Sequence, residues 1–283
     1  MVASGELRAF LMSRRAAIDP ASVGLPQSPV QRRARGLRRA EVAALSGVSV
    51  DYYARLEQGR VGVVSDQVLT AIEDALHLDS LERQHLRALV VPHRFPGRRQ
   101  PPVTARPRAA LQTLVASMDP IPALLLSRRL DVLLSNRAAR ILSADFDAMP
   151  VAERNIVRWL FLDPRTRVLF PQWEEVAAEA VAALRANRNP HVQDDELERL
   201  VGVLKTASAD FARMWADYRL YQHGHGRKQF LHEAVGVITV NWETLPIPGA
   251  DGAFISAYTP DVGSPSEERL RFLVTGTGAG SPA

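Results

Sequence analysis

Apolar residues recur at helical spacing through the first ninety positions. Leu7, Phe10 and Leu11, with Ile18, fall on or near one face of a helix over Glu6–Ala17, with Ser4 as its N-cap and Asp19-Pro20 as its stop. After Gly36, Leu37, Val42 and Leu45 keep the same spacing, and Ala43 and Ala44 are small enough for close helix contact. Gly47 stops that helix, because glycine enters the left-handed region without steric cost. Val48 can fill the angle that follows, and Ser49 is a natural N-cap for the next helix. There Tyr53 and Leu56 face inward, Val50, Asp51, Tyr52 and Arg55 stay on the exposed N-terminal half, and Gly59 ends it. Ser65 caps a fourth helix carrying Val68, Leu69, Ile72, Leu76 and Leu78. Asp79 with Glu82 forms a capping box for a fifth, with Leu81, Leu86 and Leu89 inside. Five helices in about ninety residues make a compact all-α domain.

Beyond a Pro/Arg-rich stretch the pattern changes. Ala109–Met118 reads as a helix, and Ala123–Ser127 and Asp131–Ser135 are short apolar runs about Arg128-Arg129, a hairpin pattern. Helices follow from Asn136, over Ala152–Leu160, Trp173–Ala186, Asp195–Thr206 and Ser208–Trp215. Strands return at Tyr218–Gln222, Lys228–His232, Val235–Thr244 and Phe254–Tyr258, before a closing helix over Ser266–Phe272. This order describes an α+β domain: an antiparallel sheet with helices packed on one face, of the kind that wraps a pocket. The expected division is a helical domain over 1–92, a linker over 93–107, an α+β domain over 108–275 and a flexible tail over 276–283.

With 46% apolar residues a full core can form, and no run approaches the roughly 18 apolar residues that span a bilayer. No signal-peptide pattern is present, and with no cysteine there is neither a disulfide framework nor a thiolate metal site. These features point to the cytoplasm. Charge is unevenly divided: residues 1–99 hold 15 Arg against 10 Asp+Glu, whereas residues 100–283 hold 20 Lys+Arg against 21 Asp+Glu. The basic excess therefore lies with the two-helix element, together with Arg32, Arg33 and Arg35 on its approach, as attraction to phosphate requires.

A helix whose first turns point outward, propped by a shorter helix behind it, fits the major groove of DNA. The motif resembles the helix-turn-helix of phage-repressor-like (Xre-type) regulators in Val42/Leu45, Gly47-Val48-Ser49, Tyr53 with Leu56, and Glu57-Gln58-Gly59. The string Gly47–Arg60 is similar to one branch, the MmyB-like regulators. So are Leu130–Leu133 with Ser135–Ala139, Glu153-Arg154-Asn155 with Phe161–Pro164, Glu243-Thr244-Leu245, and Tyr258-Thr259 with Gly263–Ser266. The resemblance implies a C-terminal PAS-like ligand-binding domain and a small, partly lipophilic effector such as an acyl chain or a secondary metabolite. Two positions depart from the pattern. Arg39 stands where many relatives have glutamine, which favours phosphate clamping. His232-Glu233-Ala234-Val235-Gly236 replaces a His-Pro-x-Val-Gly strand.

By family position, Val50, Asp51, Tyr52 and Arg55 fall at base edges, and Arg38, Arg39 and Arg60 at phosphates. Arg55 has two readings, a bidentate contact to guanine or an ion pair with Asp51 four residues earlier. Tyr52 either touches a thymine methyl or phosphate or packs between helices, Val50 offers a methyl-complementary surface, and Ser49 adds a backbone N–H near phosphate to its role as cap. One such helix reads few base pairs, so a homodimer on a palindromic operator is expected. Candidate effector contacts are Asn136, Arg137, Trp159, Phe161, Phe211, Arg213, Trp215 and His232, although such aromatics more often form a core than a pocket and the polar four more often have structural or surface roles.

An enzyme is the weaker reading. No Gly-x-Ser-x-Gly elbow, phosphate-binding loop or His-Glu-x-x-His occurs, and no cofactor or catalytic residue is expected. His223-Gly224-His225 with His232 suggests a metal only weakly, since it sits in a Gly-rich turn. A protein-interaction or antitoxin-like module using the helical domain alone remains a further reading.

Overall fold

The computed structural model describes residues 2–24, 36–90, 107–188, 194–218 and 224–276, with side chains from Gly5 onward. Arg32, Arg33 and Arg35, all of the linker except Pro107, the strand expected over 218–222 apart from Tyr218, and the tail beyond Gly276 lie outside these residues. The chain divides into two compact units, one made by residues up to Gln100 and one mainly by residues from Pro101 onward.

In the first unit the described helices are α1 (Val2–Ala17), α2 (Arg39–Leu45), α3 (Val50–Glu57), α4 (Asp66–Ala75) and α5 (Ser80–Val90). Leu7, Phe10, Leu11, Leu37, Val42, Tyr53, Leu56, Leu69, Ile72, Leu86 and Leu89 are buried together. Each such side chain contributes about 1.5–3 kcal/mol on leaving water. Ser65 accepts the Val68 N–H at 3.4 Å, and Asp79 and Glu82 exchange backbone N–H donors at 2.8 and 3.1 Å, closing the expected box. Three expectations need correction. α1 begins at Val2, so Ser4 lies inside the helix and does not cap it. Leu45 is 40% exposed and Ala44 is exposed as well, at the end of an α2 only two turns long, so neither is part of the buried core. Leu81 is only half-buried, near the start of α5.

The second unit contains α6 (Ala109–Ser117), β1 (Ala123–Leu126), β2 (Val132–Ser135), α7 (Arg137–Leu142), α8 (Ile156–Leu162), α9 (Thr166–Leu169), α10 (Trp173–Ala186), α11 (Asp195–Ala207), α12 (Ala209–Ala216), β3 (His225–His232), β4 (Gly236–Pro246), β5 (Phe254–Thr259) and α13 (Pro265–Gly276). The strands form one antiparallel sheet in the order β2-β1-β5-β4-β3. In β4 the alternation of Ile238, Val240 and Trp242 with more exposed neighbours marks the face that carries the main core. Helices are not confined to that face. Leu111 and Val115 of α6 pack with Ala123, Leu125 and Ile255 in a separate cluster, so β1 and β5 are buried on both sides. α13 runs beside the part of β4 beyond the end of β5, where Ser266 accepts the Thr239 N–H at 3.0 Å and Arg269 donates to the Val237 carbonyl at 2.6 Å.

The helix expected over Ala152–Leu160 starts later. Asn155 accepts the N–H groups of Val157 and Arg158 and donates to the Arg129 carbonyl and Asp131, so α8 begins only after it. Tyr218 lies in a turn after α12 and not in a strand. No helix among the described residues is long and apolar enough to cross a membrane.

Candidate nucleic-acid interface and ligand cavity

The turn between α2 and α3 is built from local hydrogen bonds. The Ser46 hydroxyl donates to the Val42 carbonyl at 2.7 Å, and Val48 N–H reaches the Ala43 carbonyl at 3.0 Å across Gly47, whose φ is +66°. Ser49 then accepts the Tyr52 N–H at 3.1 Å and starts α3. Along α3, Tyr53, Leu56 and Glu57 are buried, while Val50 (46% exposed), Asp51 and Arg55 face outward and Tyr52 is half-buried.

The buried Glu57 braces this element from behind. Arg39 grips it with two nitrogens, Nη2 at 2.7 Å and Nε at 3.2 Å from the same carboxylate oxygen, and Arg15 of α1 stands 3.6 Å away. A fully buried carboxylate is tolerated only when so paired, and losing a partner costs about 3–5 kcal/mol. Its hydrogen bond and charge hold the Arg39 guanidinium above its ordinary pKa, and burial, then Glu57, raises the Tyr53 phenol. One carboxylate thus ties α1, α2 and α3 together behind the exposed face.

In the second unit, side chains on the inner face of the sheet and on α7, α8 and α10 enclose an apolar cavity. Leu124, Trp159, Phe170, Phe230, Phe254 and Tyr258 are among those lining it. Its volume is about 60 Å³, against roughly 300–1,000 Å³ for pockets that hold drug-sized ligands. As it stands it is too small for such a ligand. One charged group reaches it: Lys228 of β3, with Nζ 3.9 Å from Glu179 of α10 and 5.4 Å from the centre of the Trp242 ring. Burial lowers the Lys228 pKa, partly offset by Glu179, and burial raises that of Glu179. Gly226 makes room for the Trp242 indole, since a Cβ there would lie 2.8 Å from Nε1. A wider groove of about 580 Å³ elsewhere on this unit is open and charged. Its Arg129 is committed to Asp131 and Glu196, and its Arg154 to the carbonyls of Met149 and Asp147. The apolar cavity, in contrast, is lined mostly by aliphatic and aromatic side chains.

A family model described as the MmyB-like transcription regulator ligand binding domain matches residues 107–273, more than half of the chain, and a helix-turn-helix domain model matches residues 30–86. The chain belongs to the MmyB-like transcription regulators. A comparison with curated proteins finds no match. A helix-turn-helix joined to this ligand-binding domain makes a ligand-modulated transcription regulator.

Within this MmyB-like regulator, Val50, Asp51, Tyr52 and Arg55 share the outward side of α3, with Ser49 and Arg38 as exposed residues at the N-caps of α3 and α2. Arg60 is exposed after α3, its N–H bonded to the Arg55 carbonyl at 2.8 Å. No salt bridge joins Arg55 to Asp51, and Arg55 has none among the described residues. Arg39 is already engaged by Glu57, so phosphate would have to share it.

Of the eight candidate effector residues, Trp159 lines the cavity. Asn136 is the N-cap of α7, accepting the Ala139 and Ala123 N–H groups and donating to the Ile121 carbonyl. Arg137 donates to the Val274 carbonyl of α13 at 2.8 Å. Phe161 packs edge-on against Trp173 and Phe211, Phe211 stacks on Trp215, and Arg185 lies over the Trp215 ring. Arg213 is exposed and pairs with Asp210 and Glu174, and His232 accepts the Ala234 N–H in the β3–β4 turn. His225 and His232 stand at opposite ends of β3, about 23 Å apart at strand rise, and His223 lies outside the described residues.

Sequence reasoning passed over Lys228. A signal was present: of 35 Lys and Arg residues, only Lys205 and Lys228 are lysines.

Proposed function

We propose that this regulator binds a palindromic double-stranded operator as a cytoplasmic homodimer and that an effector held in the apolar cavity changes its DNA affinity. Val50, Asp51, Tyr52 and Arg55 read base edges. Arg38, Arg39, Arg60 and the N–H at Ser49 hold phosphates. The observation that carries this reading is the outward face of α3, where Arg55 has no ionic partner among the described residues while Glu57 fixes the helix from behind. A guanidinium kept in water has its donors available for guanine O6 and N7.

The effector is small and partly lipophilic, because the cavity walls are aliphatic and aromatic with a few hydroxyls and one lysine. Trp159 belongs to those walls. Phe161, Phe211, Trp215, Asn136 and Arg137 support the surrounding fold, and Arg213 and His232 lie at the surface and in a turn, so of the eight candidates Trp159 is the one placed to touch the effector. Since the cavity as it stands is only about 60 Å³, a ligand selects a state with the walls parted, and only that difference between states can reach the DNA-binding unit.

The test is native mass spectrometry of the full chain followed by denaturing extraction, paired with binding to upstream DNA over a salt series. A dimer carrying a lipophilic small molecule, with affinity falling steeply in salt, is expected. A monomer on a palindromic site, or binding indifferent to salt, would overturn the reading.

A further inference from the structure

A chain that uses arginine for almost every cation places one of its two lysines in an apolar cavity. The difference is chemical. Arginine stays charged under all ordinary conditions and can only anchor an anion, whereas a desolvated lysine can shed its proton and become a nucleophile. Lys228 has the surroundings for that. Its side chain is 12% exposed, its amine has no hydrogen bond among the described residues, and its nearest carboxylate, on Glu179, is 3.9 Å away, beyond hydrogen-bond length. The Glu179 Oε2 is itself buried without a hydrogen-bond partner, so this carboxyl can take and return a proton beside the amine. Burial acts on both groups in the helpful direction, disfavouring the ammonium and the carboxylate alike.

We propose that the cavity captures aliphatic aldehydes covalently, as a reversible imine on the Nζ of Lys228, with Glu179 as the proton donor and acceptor. The neutral amine attacks the aldehyde carbon, forming the C–N bond. The carbonyl oxygen leaves as water with the two amine hydrogens, and a C=N bond remains. No electron acceptor or donor is needed, and water reverses the step. A protonated imine would face the Glu179 carboxylate, and the alkyl chain would lie among Trp159, Phe170 and Phe230. This inference rests on the cavity being the effector site and adds that the effector class is electrophilic.

The test uses the full-length protein with decanal and sodium cyanoborohydride, which reduces an imine to a stable alkylamine, followed by peptide mapping. The chain offers only Lys228, Lys205 and the N-terminal amine, so the map is unambiguous. Lys228 should be alkylated faster than the exposed Lys205, because burial leaves more of its amine neutral and nucleophilic. Decanol should slow labelling at Lys228 alone, and Lys228→Arg should abolish the cavity adduct while keeping the positive charge. If Lys205 and the N-terminus are labelled and Lys228 is not, the inference is overturned, even where decanol raises the melting temperature and the cavity reading stands. If decanol neither stabilises nor protects and Lys228 stays unlabelled, both fail.

Discussion

Arg55 and Arg39 lie sixteen positions apart, and the structure gives them different work. Arg55 projects from the outward face of α3 with no ion pair to Asp51, so its guanidinium is available to a base edge. Arg55→Ala should lose about 1–3 kcal/mol of discrimination at one base pair per half-site, read by binding to a panel of single-base operator variants. Unchanged specificity would remove Arg55 from base reading. Arg39 is bound to the buried Glu57, so Arg39→Ala should weaken binding to all sequences alike, flatten the salt dependence and also lower domain stability, visible in urea unfolding. Lys228 has a different signature. Its native pKa is lowered, so the unfolded chain holds the proton more tightly, and stability rises with pH between the lowered native value and the ordinary lysine value of 10.5. Lys228→Met removes the titrating amine and should abolish that rise. Urea midpoints measured from pH 7 upward check this, and equal slopes in both proteins would refute it.

Among the elements, the helix-turn-helix was legible because its determinants are local. Gly47 and Ser49 act within four residues of themselves, as do Ser65 and the Asp79–Glu82 box. Gly36 is different: its φ is +95°, and a Cβ would sit 2.6 Å from the Ala16 Cα and from the Arg15 and Ala16 carbonyl oxygens. There the chain crosses the end of α1, where Leu37 N–H bonds the Arg15 carbonyl at 2.9 Å and Arg15 returns a bond to the Leu37 carbonyl at 2.6 Å. Gly36→Ala should therefore destabilise the first unit by at least ~2 kcal/mol, combining backbone strain with a backbone clash. Gly47→Ala has open space for its methyl and should cost only about 1–2 kcal/mol. Thermal unfolding of the two variants decides, and equal losses would contradict the close approach. In the second unit the strand alternation was readable, but the delayed start of α8 was not. It depends on Asn155 bonding to Arg129 and Asp131, which come near only once the β1–β2 hairpin has folded.

For the whole molecule, a two-fold dimer on DNA implies half-sites about 34–36 Å apart, or a multiple of that. Inserting half a helical turn between half-sites should abolish tight binding, and inserting a full turn should restore much of it. A ligand confined to the native cavity should also stabilise the protein by about 2.7 kcal/mol at a hundred times its dissociation constant.

Taken alone, the sequence determined the order of elements, the caps and turns, the exposed side of α3 and the division into a basic helical part and a near-neutral α+β part. Those features follow from interactions within a few residues and from periodicity, which survive without knowledge of neighbours. Tertiary structure alone decided that Glu57 joins Arg39 to Arg15, that α6 covers the second face of the sheet, and that Lys228 lies in an apolar cavity beside Glu179 and Trp242. In each case the deciding partners come from distant segments. Burial, which sets the energy of a charge, is a property of the packed whole and not of any stretch of chain.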